Sequence, residues 1–414
     1  MITVKPFKAL RPTQEYVSQC AALPYDVMSS AEAREMVVGK PYSFLHIDKA
    51  EIDLDPSVDL YADEVYAKAA ANLQDFEAQG VYKEDIKKQF YFYRQIMNGR
   101  AQTGIVGCAS IDDYLSDRIK KHERTRADKE LDRIRHVDTC AAHTGPIFLA
   151  YRDSAALDEI ILRETAKSPV YDFISEDGVQ HTAWTVSSES VNAEIEKAFL
   201  DLDALYIADG HHRAASAVKA GLKRRGERPA YDGTEEFNFF LSVIFPANTL
   251  KIFDYNRLLR DLNGLSVEAF LSAVEKNLGK VTPYEGDGAY RPTQTHEVGL
   301  LVGGQWYKVN FHATTYENKT PAEQLDCAIL QNQLLAPVLG IQDPRTDKRI
   351  DFVGGIRGLQ YLEKRCEEDM AAAFSMYPVT LNELMAVADA GELMPPKSTW
   401  FEPKLRSGIF IHKI

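Results

Sequence analysis

The stretch Asp209–Arg213 places one carboxylate, one glycine, two imidazoles and one guanidinium at consecutive positions. An apolar run at 205–208 precedes it and predicts a buried strand, and the pattern at 211–225 predicts a helix with one apolar face. The first N–H groups of a helix have no partner within the helix, and the helix dipole favours negative charge there. Basic side chains in that first turn therefore point to a site that holds a phosphate.

Each residue of this turn has an expected role. Asp209 is expected to be the N-cap of the helix, and Gly210 to let another group approach the backbone closely. His211, His212 and Arg213 would contact the phosphate together with backbone amides. The alternative is a plain strand-turn-helix connection, in which the aspartate only caps and the histidines are surface groups. A metal site is disfavoured, because adjacent side chains on a helix diverge and cannot easily share one ion.

Two more segments combine charged and hydroxyl side chains. Residues 121–125 (Lys-His-Glu-Arg-Thr) lie within a region, Leu115–Val137, that is dense in charged residues, and a charged region of this length is usually a solvated helix face. In residues 394–404 two adjacent prolines favour an extended path, and Lys397 offers a cation beside two hydroxyls. This second segment could be a tail strand anchored by Trp400 and Phe401, or a phosphate contact through Lys397, or both.

Two smaller groups are assigned structural roles. Asp26 lies in a turn and is expected to be an Asx-type cap for a helix that begins at Ser30. Arg133 and His136 are one helical turn apart and could present two cations to an anion. We expect instead that both lie on the surface.

Bulk properties exclude several classes of protein. A chain of 414 residues with 45% hydrophobic and 26% charged residues is long enough for two or three domains. A net charge of −13 argues against a nucleic-acid partner. No apolar stretch approaches the roughly 20 residues of a membrane helix, and no signal-peptide pattern opens the sequence. Scattered cysteines suggest reduced thiols and a cytoplasmic location: Cys20, Cys108, Cys140, Cys327 and Cys366.

Strand and helix patterns alternate, which predicts an α/β (α+β) fold. Hairpins are expected at Asn98-Gly99 and around Gly303-Gly304, and capping boxes that open helices begin at Thr320 and Thr380. We divide the chain into three regions. They are an N-terminal α/β region (1–100), a core that contains the phosphate-binding turn (101–247), and a C-terminal α+β region (248–414) whose tail returns to the core.

The Asp-Gly-His-His-Arg turn resembles the signature of the ParB/sulfiredoxin-like superfamily, in the form found in archaeal free-serine kinases. Sulfiredoxins carry their reactive cysteine where this chain has His211, so their chemistry is not expected here. Five segments also resemble, in order, those of the bacterial and archaeal family known as domain of unknown function 1015. They are Pro24–Val27, Tyr42–Leu45, Lys121–Thr125, Ala208–Arg213 and Met394–Thr399.

These resemblances imply a ParB/sulfiredoxin-like core with N- and C-terminal elaborations. They also imply a small-molecule phosphotransferase that acts on free serine with ATP or ADP, or that runs in reverse from phosphoserine. In superfamily kinases a glutamate ahead of the signature turn is the base for the substrate hydroxyl, and Glu123 is the best match. Asp209 could hold the acceptor hydroxyl or a Mg²⁺ ion between the phosphates.

A function of a different class stays open. Some ParB-like domains are nucleotide-gated switches, so the chain could be a nucleotide-binding regulatory protein that transfers no phosphate. The acidic net charge of −13 counts against a DNA-binding version of this alternative.

Overall fold

The computed structural model describes residues 1–414 and is a mixed α/β structure, which confirms the predicted fold class. Its strands are β1 (Val4–Lys5), β2 (Ala9–Pro12), β3 (Tyr82–Glu84), β4 (Tyr91–Met97), β5 (Arg100–Ser110), β6 (Ile119–Lys120), β7 (Ala142–His143), β8 (Ile147–Tyr151), β9 (Tyr171–Ile174), β10 (Gln180–Thr185), β11 (Leu205–Asp209), β12 (Phe239–Pro246), β13 (Ile252–Phe253), β14 (Tyr255–Leu259), β15 (Gly279–Pro283), β16 (Glu297–Val302), β17 (Gln305–Phe311), β18 (Ile350–Gly354), β19 (Ala372–Met376), β20 (Trp400–Phe401) and β21 (Ile411–Lys413). Its α-helices are α1 (Val17–Cys20), α2 (Ser30–Met36), α3 (Leu45–Asp48), α4 (Asp63–Ala78), α5 (Ile111–Leu115), α6 (Ala127–Cys140), α7 (Ala155–Thr165), α8 (Glu189–Leu200), α9 (His211–Glu227), α10 (Val267–Asn277), α11 (Asp326–Leu330), α12 (Gln360–Glu368) and α13 (Leu381–Asp389). None of these helices is both long and apolar enough to cross a membrane.

The chain forms two compact units. The first consists of residues 1–250 and 403–414, and the second of residues 251–402. The boundary placed after residue 100 falls inside β5, which begins at Arg100 and pairs with β4 in one sheet of the first unit. Whether the three regions proposed from the sequence fold separately stays a prediction.

The first unit is built on a nine-stranded sheet. Its order is β6-β11-β8-β12-β5-β4-β10-β9, and β1 pairs with β5. A four-stranded sheet, β3-β2-β21-β7, also belongs to this unit. The hairpin between β4 and β5 is confirmed, and both of its turn residues, Asn98 and Gly99, have the positive φ that a tight hairpin turn needs (51° and 75°).

Helix α9, which begins in the candidate site, is fixed by the main hydrophobic core. Ala214, Ala217 and Val218 on its inner face are buried in the same cluster as Ile207 of β11. Buried apolar contacts on one face are the main source of stability for a helix in a protein. The core therefore holds the start of α9 at the end of β11.

The second unit contains a six-stranded sheet, β15-β17-β16-β19-β14-β18, and the two-stranded pair β13-β20. The hairpin at Gly303-Gly304 and the capping box at Thr380 are confirmed. The continuous helix expected from Thr320 is wrong. A single turn forms there, and then the extended backbone of the buried Leu325 (ψ 135°) interrupts the helical hydrogen bonds before α11 begins.

Candidate functional site

The order of the strands brings two distant segments together. Strand β6 lies parallel to β11 and pairs Ile119 with Leu205. Because neighbouring parallel strands end at the same edge of a sheet, the segment after β6 meets the turn after β11. Glu123 Oε2 consequently lies 3.6 Å from His211 Nδ1.

The turn after β11 differs from the prediction in its helix cap. Gly210, with φ 92° and ψ 34°, is the N-cap of α9, and no side chain caps this helix. The N-cap role expected for Asp209 is therefore wrong, and its carboxylate faces cations instead. A Cβ atom at position 210 would lie 3.1 Å from Arg213 Cζ, so both the backbone angle and the close approach require glycine. At the other end, α9 continues past Gly226, which is not its cap.

Asp209 is held between two cations. Arg213 Nη2 donates to its Oδ2 at 2.9 Å, and Lys404 Nζ lies 3.5 Å from its Oδ1. Burial alone would raise the pKa of Asp209, but the charges of Lys404 and Arg213 lower it to about 2. Asp209 is thus ionised at neutral pH and is a weak proton acceptor.

Arg213 is almost enclosed, since 9% of its side chain is exposed. Its Nη1 donates to the carbonyl of Pro146, while its Nε has no hydrogen-bond partner. Its pKa is raised by the nearby acids Asp26, Asp209 and Asp48 against the effect of burial. The guanidinium is therefore charged and fixed in position.

The histidines of the site are neutral. His211 and His122 are buried, with perpendicular rings whose centroids are 4.4 Å apart. Burial lowers the pKa of both, that of His122 to about 4. The backbone N–H of His122 points at His211 Nε2 (3.5 Å), so the proton of His211 is assigned to Nδ1, which faces Glu123. His212 Nε2 accepts from the backbone N–H of Arg126 at 3.0 Å, which leaves its Nδ1 as the donor.

We expect acidification to destabilise the protein before its carboxylates protonate. The folded-state pKa of His122 is about 4 and its ordinary value is 6.5, so the unfolded chain binds more protons between these pH values. The free energy of unfolding should therefore fall below pH 6.5, by about 1.4 kcal/mol per pH unit for each such histidine. Urea unfolding at pH 7.5, 6.5 and 5 measures this slope. Equal stability at all three values would contradict it. The stabilising contribution of ionised Asp209 to the free energy of unfolding is lost only below its ordinary pKa of 3.8.

Glu123 lies on a loop. The helix expected from residue 115 to residue 137 is confirmed only from Ala127, where α6 begins, and is wrong before it, because the chain there forms β6 and a loop. Half of the Glu123 side chain (50%) is exposed. A carboxylate in this position combines access to a substrate with a fixed neighbour in the buried His211.

A small cavity lies on the other side of Arg213. Its volume is about 30 Å³, which is room for about two water molecules, and Arg133, His136, Asp48 and Thr144 also line it. The surface position expected for Arg133 and His136 is wrong, because α6 packs against both α4 and α9. Arg133 instead bonds to Asp132 at 3.0 Å, and burial lowers the pKa of His136.

The role expected for Asp26 is also wrong. Ser29 caps α2 through a reciprocal capping box with Glu32. Asp26 lies in a 3₁₀ turn, Tyr25–Val27, and its charge acts on His212 and Arg213. Ser29 directly precedes the first turn of α2, whereas Asp26 lies four residues before Ser30 and is too far away to cap it.

Lys397 belongs to the second unit. Its Nζ lies 5.9 Å from the centre of the Tyr255 ring, and its carbonyl accepts from Arg257 Nη2 at 3.2 Å. The pair Trp400–Phe401 forms β20 and pairs with β13 in the same unit. The phosphate contact expected for Lys397 stays a prediction. The sequence analysis assigned no role to Lys404, although this residue ends the same segment, 394–404, and lies near Asp209.

The surroundings of Asp209 show whether this residue could coordinate the expected Mg²⁺ ion. Both carboxylate oxygens are engaged by cations. No group of three or more His, Cys, Asp or Glu side chains lies close enough to hold a metal. In this arrangement an ion at Asp209 would lie beside the positive charges of Lys404 and Arg213, so direct coordination of Mg²⁺ would require one of the two side chains to move.

Several solved structures are similar to this chain. C-terminally truncated SbnI from Staphylococcus aureus is 9% identical with a TM-score of 0.37, over 73% of this chain and 85% of that one. A free serine kinase in complex with AMP is 13% identical with a TM-score of 0.33, over 70% and 89%. A conserved hypothetical protein from Pyrococcus furiosus is 17% identical with a TM-score of 0.32, over 71% and 91%. Similarities at this level carry no argument about activity.

No curated protein matches the sequence. Residues 4–328 match the family described as Protein of unknown function (DUF1015), and the chain belongs to this family.

Proposed function

We propose that this protein is a small-molecule phosphotransferase with a ParB/sulfiredoxin-like core. It would move a phosphoryl group between ATP or ADP and the hydroxyl of free serine, and the same site would serve the reverse reaction from phosphoserine. One observation carries the proposal. A half-exposed carboxylate, Glu123, lies 3.6 Å from His211 at the start of a helix where two cations, Arg213 and Lys404, are held on Asp209.

The start of α9 is suited to the phosphates of the nucleotide. Its first backbone N–H groups are donors, and the helix dipole favours an anion there. Arg213 adds a fixed positive charge, and the Nδ1–H group of His212 adds a neutral donor, while the Nδ1–H of His211 faces Glu123. Phosphoryl transfer needs mainly positioning and neutralisation of charge, so these groups supply most of what the reaction requires.

The two acids differ in what they can do. With a pKa of about 2, Asp209 holds the cations and is a weak base. Glu123 is the candidate base, because half of its side chain is exposed and a substrate hydroxyl can reach it, while the buried His211 at 3.6 Å fixes its position. The serine oxygen would attack the terminal phosphorus of ATP, the bond from phosphorus to the bridging oxygen of ADP would break, and Glu123 would take the hydroxyl proton.

The test is incubation of the protein with ATP and L-serine, with ADP and L-serine, and with phosphoserine and ADP. Mass spectrometry then follows phosphoserine and the nucleotides. We expect phosphoserine to form with one of the donors, or to be consumed in the reverse mixture. Nucleotide binding without turnover in any mixture would refute the phosphotransferase and favour the regulatory nucleotide-binding protein.

A further inference from the structure

The C-terminal segment 403–414 returns to the first unit and carries a lysine into the candidate site. The Nζ atom of Lys404 lies 3.5 Å from Asp209 Oδ1, and 12% of its side chain is exposed. Arg213 occupies the other oxygen of the same carboxylate at 2.9 Å. Each oxygen of Asp209 is therefore paired with a different cation.

The backbone that follows the Cα atom of Lys404 is fixed by hydrogen bonds within the first unit. Its carbonyl accepts from Nε2 of the fully buried Gln95 at 2.8 Å. Three residues further on, Ser407 exchanges two backbone hydrogen bonds with Ala22, at 2.9 and 3.1 Å. The segment then continues into β21, which pairs with β2 and β7. The ammonium group is thus presented from a rigid base.

The two cations differ in freedom of movement. Arg213 is held by Asp209, by the Pro146 carbonyl and by contact with Gly210, so its guanidinium cannot shift without breaking buried contacts. Lys404 ends in a compact charge on a flexible four-carbon stem, and its contact with Asp209 is longer. If Lys404 turns away, Asp209 keeps Arg213 as a partner. Transfer of the ammonium group to a phosphate oxygen therefore leaves no unpaired carboxylate.

We propose that Lys404 is the lysine that binds the nucleotide's β- and γ-phosphates, and that Asp209 holds it in position when no nucleotide is bound. This inference rests on the proposed function, and it names a phosphate-binding residue outside the signature turn. A lysine binds phosphate as a point charge, so its contribution grows with the charge of the nucleotide. The inference also gives Lys404 the role that the sequence suggested for Lys397.

The test compares Lys404→Met and Lys404→Arg with Lys397→Met, which tests the alternative lysine, and with the matched control Lys8→Met at an exposed position. Calorimetry measures the affinity of each protein for ATP, ADP and adenosine, and thermal melting measures stability. We expect Lys404→Met to weaken ATP and ADP binding by about 10- to 100-fold, the range of one charge-assisted hydrogen bond. Adenosine affinity should stay near that of the unmodified protein, and Lys404→Arg should recover part of the loss.

The outcomes separate this inference from the function on which it rests. If the unmodified protein binds no nucleotide, both are refuted. If it binds ATP and Lys404→Met binds ATP equally well, Lys404 has no such role while the proposed function stands. An equal loss for ATP and adenosine would indicate a merely structural role, and a loss confined to Lys397→Met would return the role to that residue. Should Lys404→Met fail to fold, Lys404→Gln in the same series decides.

Discussion

Replacement of Glu123 by glutamine is expected to lower the rate of phosphoryl transfer by about 10²- to 10⁴-fold, the usual contribution of a general base. Glutamine keeps the shape of the side chain but cannot take a proton at neutral pH. Nucleotide affinity should change little, because the phosphates are expected at the start of α9. Steady-state kinetics with ATP and L-serine, together with calorimetric affinities, separate the two effects.

The matched control is Glu159→Gln, on the exposed surface of α7. It makes the same chemical change away from Glu123 and should leave the rate unaltered. A rate for Glu123→Gln within a few-fold of the unmodified protein would mean that Glu123 is only a surface charge. Loss of nucleotide affinity in parallel with the rate would instead make it a binding residue.

Replacement of Arg213 by alanine is expected to affect both nucleotide binding and stability. Binding should weaken by about 1.5–3 kcal/mol, the contribution of a hydrogen bond to a charged group. The free energy of unfolding should also fall, by about 3 kcal/mol, because a largely buried pair loses one partner. Calorimetry and urea unfolding measure the two quantities separately.

The control for stability is Arg345→Ala, since Arg345 pairs with Asp343 at an exposed position. An exposed ion pair contributes less than about 1 kcal/mol, so this variant should unfold almost like the unmodified protein. Arg213→Lys keeps a positive charge but loses the planar fork, and should recover binding only in part. Unchanged nucleotide affinity in a folded Arg213→Ala protein would remove Arg213 from the phosphate site.

The local part of the candidate site could be predicted from the sequence. An apolar run predicts β11, and the helical spacing of apolar residues after it predicts α9. Both patterns can be recognised because they involve only residues that are close together in the sequence. The exchange of cap between Asp209 and Gly210 could not be predicted. Both residue types are acceptable N-caps, and the carboxylate of Asp209 instead faces two cations, of which Lys404 lies far along the chain.

The positions of residues that are set by the tertiary fold could not be predicted from local sequence patterns. Lys397 and Lys404 lie in one short segment, and only the fold separates them, because the chain passes from the second unit to the first between them. Similarly, Arg133 and His136 look like surface residues on a charged helix. They are buried because α6 has neighbours on two sides.

The central claim is that the turn at Asp209–Arg213 and Glu123 together transfer phosphate to a small hydroxyl compound. The most direct measurement uses ATP labelled in its γ-phosphate and ADP labelled in its β-phosphate, each with L-serine, and follows where the label goes in the unmodified protein and in Glu123→Gln. We predict that the label of one donor appears in phosphoserine, with one dephosphorylated nucleotide for each phosphoserine, and that Glu123→Gln nearly abolishes the transfer while the nucleotide still binds. Label that remains in both nucleotides with the unmodified protein, although they are bound, or equal transfer by both proteins, would contradict this account.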